Sequence, residues 1–94
     1  MSGPKVVRVI TREELVAAGK ALLRRLDGAL TEWERTCAHV GVSPADQKAS
    51  KDRRNALEQM LRADRFAEFG QAAVAEIDFL DADADRRRER AAQA

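Results

Sequence analysis

The densest run of potential ligands in the chain is Asp81-Ala82-Asp83-Ala84-Asp85. Carboxylates at alternate positions open a calcium loop, because a hard cation wants several oxygen donors around it. Such a loop also requires Gly at its sixth position, for a sharp turn, and a bidentate Glu at its twelfth. Those positions hold Arg86 and Ala92. The turn and the closing ligand are both missing, so no calcium site is expected. On a helix the same residues read as ion pairs. Asp83 reaches Arg87 at i,i+4 and Asp85 reaches Arg88 at i,i+3, each pair worth about 0.2–0.5 kcal/mol. The cations Arg86, Arg87, Arg88 and Arg90 then fall near a helix C-terminus, where the dipole favours them. They also offer a binding surface to an acidic patch on a protein partner.

The remaining reactive residue types are scattered. Cys37 and His39 are two apart, so on a helix they face different ways, and a metal site needs more ligands than these. Cys37 lies in an apolar stripe and reads as a small buried hydrophobe. Nucleophilic catalysis needs a nucleophile, a base and a group to orient the base. The serines are Ser2, Ser43 and Ser50, with Ser43 placed to cap a helix. Glu13-Glu14 is explained by a helix start, and no glycine-rich phosphate loop is present. The expectation is no catalytic residue, no cofactor, no metal and no small-molecule substrate.

Charge disfavours nucleic acid as a partner. Lys and Arg total 17 against 16 Asp and Glu, a net charge of +1. A nucleic-acid binder concentrates positive charge to displace counterions. Here Arg53-Arg54, after Lys48 and Lys51, is diluted by Asp46 and Asp52 and has no aromatic neighbour on which a base could stack. One cysteine cannot form an internal disulfide, no apolar run approaches the ~20 residues of a membrane span, and the N-terminus lacks the apolar core of a signal peptide. A cytoplasmic protein that does not enter the membrane is expected.

The elements that must position these groups are helical. Of 42 apolar residues among 94, 18 are Ala, and Gly, Pro and Tyr number 5, 2 and 0. That bias belongs to long helices and coiled coils. Lys5-Val6-Val7-Arg8-Val9-Ile10 is the exception: its β-branched residues favour an extended arm over residues 1–10. Thr11-Arg12-Glu13-Glu14 fits a capping box. From it runs an apolar stripe of Leu15, Leu22, Leu26, Leu30, Trp33, Cys37 and Val40, with Gly19 in the gap. Its average step is near 3.6, which predicts a helix over 12–40. Gly41 stops it, and Ser43-Pro44-Ala45-Asp46 caps the next. Phe66 and Phe69 followed by Gly70 suggest a second break there. The expected helices are therefore about 12–40, 44–69 and 71–90, with Val74, Ile77, Phe79 and Leu80 of the last one facing inward.

The fold expected is all-α: an antiparallel helical hairpin or three-helix bundle, coiled-coil-like over 11–92, with the short N-terminal arm. A domain this small, with so many of its apolar residues Ala, is marginal alone. Docking on another protein or self-association would supply further burial. The residues placed to do this are Val7 and Val9 of the arm, Trp33, Phe66 and Phe69 as apolar anchors, and Arg86, Arg87 and Arg88. The function expected is a non-enzymatic protein-binding adaptor or small accessory subunit of a larger assembly. A self-assembling coiled-coil protein is the alternative, and a nucleic-acid-binding bundle a more distant one.

Overall fold

A computed structural model describes residues 9–93. Over them the chain forms three helices, α1 (Arg12–Val40), α2 (Pro44–Arg62) and α3 (Phe66–Gln93), with no strand. It is an all-α helical bundle. Most of the arm, Val7 included, lies outside the described residues. Val9 and Ile10 are non-helical and exposed, at 80% and 59%.

Each boundary has a local cause. The Thr11 hydroxyl accepts the Glu14 backbone N–H at 3.2 Å, which caps α1. Gly41 ends it at φ 83°, its N–H donating to the Cys37 carbonyl at 2.7 Å. Ser43 Oγ accepts the Asp46 N–H at 3.1 Å, with Pro44 opening α2.

The second break lies earlier than Gly70. α2 stops at Arg62, and Ala63-Asp64-Arg65 turns the chain. The Arg65 N–H donates to the Met60 carbonyl at 3.0 Å and the Asp64 N–H to that of Leu61 at 3.1 Å. This is the Schellman pattern, with Asp64 at φ 60° in the left-handed place that Gly usually takes. The Asp64 carboxylate receives Arg12 Nε at 2.6 Å and Nη2 at 3.0 Å, fastening the turn to the start of α1. Gly70 is an ordinary residue near the start of α3, so the expected boundary at 69–71 is corrected to 63–65.

The tightest pairing is between α1 and α3, which run parallel along their lengths. Arg12 meets Asp64 at one end, and Trp33 meets Asp83 and Thr36 meets Arg88 towards the other. α2 runs back antiparallel along the pair. Its Arg54 makes a two-toothed contact with Asp27 of α1, at 2.8 and 3.1 Å, and also pairs with Glu58; its Arg53 pairs with Glu76 of α3 at 2.9 Å. The core comprises Leu23, Leu26, Leu30, Trp33 and Cys37 from α1, Leu57 and Leu61 from α2, and Phe69, Ala73, Ile77, Leu80 and Ala84 from α3.

Two residues expected inward are not: Val74 is 48% and Phe79 43% exposed. Phe79 instead lies beneath the Arg53 guanidinium, 5.2 Å from the ring centroid. The alanines of α2 face water, and close approach between helices comes from Gly19. A methyl group there would overlap Leu61 Cδ1. Gly28, on the exposed side of the same helix, has nothing within 4 Å of such a group. Gly28→Ala is therefore expected to stabilise by about 0.5–1 kcal/mol through backbone entropy, raising Tm by a few degrees. Gly19→Ala should lower Tm, because displacing the buried Leu61 costs about 1–3 kcal/mol and exceeds that gain. Thermal melts followed by circular dichroism at 222 nm test the pair.

Candidate functional site

The acidic-then-basic segment folds onto α1 and α2. Asp83, with its side chain only 16% exposed, sits at the centre. It accepts the Trp33 indole N–H at 2.8 Å, Arg87 Nε at 2.6 Å and Arg86 Nη2 at 3.2 Å. Arg87 also donates to the Gly41 carbonyl at 3.3 Å, lies 3.9 Å from Asp46 and stacks 5.8 Å from the Trp33 ring centroid. One guanidinium in the C-terminal half of α3 thus joins the end of α1 and the start of α2. Burial pushes the Asp83 carboxyl pKa up, but the hydrogen bonds from Arg87, Trp33 and Arg86 outweigh it and hold it down at about 2. The hydrogen bond to Asp83 holds Arg87 firmly protonated against its own burial.

Arg88 pairs with Asp85 at 3.0 Å and donates to the buried Thr36 hydroxyl at 3.1 Å. The pairs Asp83–Arg87 and Asp85–Arg88 are those the spacing predicts. Arg86, Arg87 and Arg88 are consequently engaged within the chain. Cys37 is buried beside this cluster, and burial pushes its thiol pKa up, with Arg87 opposing. It therefore has little thiolate character at neutral pH. Among the described residues, no three His, Cys, Asp or Glu side chains converge as metal ligands.

Trp33 and Phe69 were expected as docking anchors, and each is only 2% exposed. Both belong to the core, because the α1–α3 pairing turns their stripes inward. Phe66 is half-buried and keeps an open edge.

That edge borders a groove of about 140 Å³ between the first turns of α1 and α3, lined by apolar residues alone. Leu15, Ala18, Gly19 and Leu22 line one side, and Phe66, Phe69 and Gly70 the other. Val74 stands one turn beyond Gly70, and Val9 and Ile10 precede the start of α1. Leu15, Ala18, Leu22, Gly70 and Val74 were not singled out by the sequence as docking residues. The cue was available: Leu15, Ala18 and Leu22 form a second row of small and apolar residues beside the core stripe of α1. A larger hollow of about 350 Å³ lies at the opposite end, lined by His39, Val40, Gly41, Arg87, Arg90 and Ala91. Its Arg87 is already committed to Asp83 and Gly41.

Among the described residues, no helix is long and apolar enough to cross a membrane. Comparison with known proteins finds no matching family model, no matching curated protein and no matching solved structure.

Proposed function

We propose that this chain is a non-enzymatic protein-binding module of the cytoplasm, an adaptor or small accessory subunit, that docks through the apolar groove between α1 and α3. The observation that carries the reading is the make-up of that groove, whose lining residues include no charged side chain, whereas the apolar hollow between α2 and α3 is rimmed by Arg53 and Glu76. The groove is lined almost wholly by carbon, with Val74 and Ile10 exposed nearby. A hollow of this make-up, flanked by exposed Val74, is a seat for an apolar side chain of a partner.

The groups that could do chemistry have other employment. Asp83 and Arg87 fasten helices together, Ser43 caps α2, Ser50 accepts from Arg53 and Cys37 is buried. The same holds for the phosphate-binding alternative, since Arg53, Arg54, Arg86, Arg87 and Arg88 all hold carboxylates.

The test is capture from a native-host extract on the immobilised chain, run beside Val74→Asp and Ala18→Asp. Both positions are exposed, so both variants should keep the wild-type melting curve. The expected result is a discrete set of proteins retained by wild type and lost from both variants. An identical set on all three would overturn the reading. Retention of nucleic acid at about 50 mM salt, falling steeply as salt rises, would favour the phosphate-binding alternative.

A further inference from the structure

The reading above leaves the occupant of the groove open. Resting on that reading, we propose that the occupant is a second copy of this chain, related by a two-fold axis parallel to the helices, so that α1 of each copy lies on α3 of the other.

The first argument is periodicity. The core row of α1 is Gly19, Leu23, Leu26, Leu30, Trp33 and Cys37, with steps of 4, 3, 4, 3 and 4. Beside it runs a second row, Leu15, Ala18, Leu22, Arg25 and Ala29, with steps of 3, 4, 3 and 4. This 3.5-residue spacing keeps the row on one face of α1; Leu22 and Ala29 pack at the edge of the core, and Leu15 and Ala18 keep open edges. On α3 the matching row is Phe66, Gly70 and Val74, continuing to Asp78 and Asp81. The groove itself sets the two rows side by side, with Leu15, Ala18 and Leu22 against Phe66 and Gly70. Small residues, Ala18 and Gly70, lie between large ones, Leu15, Leu22, Phe66 and Val74. A face built this way has both the knobs and the holes that its own copy needs.

The second argument is charge. Arg24 and Arg25 on α1 and Asp78 and Asp81 on α3 are exposed, and none of the ion pairs among the described residues includes them. Most other arginines of the described bundle are paired. The contacts Arg12–Asp64, Trp33–Asp83 and Thr36–Arg88 place residues about 50–52 apart in sequence at one level. Arg25 therefore stands within roughly 3 Å of Asp78 and 8 Å of Asp81 along the bundle axis, at 1.5 Å per residue. An axis parallel to the helices lays Arg25 of one copy over Asp78 and Asp81 of the other, twice. A perpendicular axis would instead lay α1 on α1 and α3 on α3, setting cations against cations and carboxylates against carboxylates. Closed two-fold dimers are also the commonest assembly of identical chains.

Sedimentation equilibrium of the full chain, with a melt of every variant, tests the proposal. Wild type should approach twice the 10.4 kDa chain mass as concentration rises. Val74→Asp should weaken the dimer at least tenfold while matching the Tm of wild type at concentrations where wild type is monomeric. Arg25→Asp and Asp81→Arg should each weaken it about tenfold at low salt, since each change touches two symmetry-related contacts. Combined in one chain, they should restore part of the loss, since Asp78 still faces position 25. Wild type remaining a monomer into the millimolar range would overturn the proposal, as would equal weakening by the two single changes with no rescue. If the monomer still captures host proteins that Val74→Asp loses, the docking reading survives and only the second copy falls.

Discussion

Trp33→Ala should cost about 3–5 kcal/mol, the range for deleting a buried large aromatic. The indole is 2% exposed and lies in the α1 face that packs on α3. Its removal opens a cavity beneath Arg87, deprives Asp83 of one of its three donors and strips the guanidinium of the ring it stacks on. A domain of this size has a total stability of only about 5–15 kcal/mol. The variant should therefore melt roughly 15–30 °C lower, or be unfolded at 37 °C. Urea titration followed at 222 nm is the measurement, because the variant loses the only tryptophan. Trp33→Phe keeps most of the volume but not the N–H, and should cost about 1–2 kcal/mol. A loss below about 1 kcal/mol for Trp33→Ala would mean that the side chain is not core, and would return it to the docking surface.

The ambiguity over Trp33 shows how far local sequence reaches. Contacts within one helix turn were legible: the Thr11 and Ser43 caps, the Gly41 stop, Asp83–Arg87 and Asp85–Arg88 all depend on residues three or four apart. The centre of the α1 stripe was legible too: Leu26, Leu30, Trp33 and Cys37 are buried, while Leu23 takes the place of Leu22, and Leu15 and Val40 stay at the edge. Which side of a stripe meets which helix was not. Val74 and Phe79 look inward when α3 is taken alone, but the parallel packing on α1 selects Phe69, Ala73, Ile77 and Leu80. The second break was misplaced for a related reason. Glycine is the usual left-handed terminator, and here Asp64 takes that role while Arg12, 52 positions away, holds its carboxylate. The apolar groove belongs to the same class. It exists only because the first turns of α1 and α3 lie together, and its α1 residues read as part of a wider core stripe until that pairing is known.

Asp83→Ala should cost about 2–4 kcal/mol, because it leaves the half-buried Arg87 guanidinium and the Trp33 N–H without their principal acceptor. The pH dependence separates the charge from the packing. In the unfolded chain the Asp83 carboxyl has its ordinary pKa of 3.8, and in the fold it is held at about 2. The folded value is the lower one, so the unfolded chain takes up the proton first. The resulting stabilisation is fully present above pH 4 and fades as pH falls towards 2, a loss of about 2 kcal/mol. Asp64 is lowered through its hydrogen bond from Arg12 and acts in the same direction, but it is exposed and contributes much less. Asp83→Asn retains an acceptor for the indole and removes the charge. Its urea midpoint should already be low at pH 7 and should change less than that of wild type between pH 5 and 2.5, whereas Asp64→Asn should keep most of the wild-type slope. If Asp83→Asn instead follows the wild-type curve throughout, the carboxylate is not what joins α3 to α1, and the bundle is held at that end by the Trp33 ring and its apolar neighbours alone.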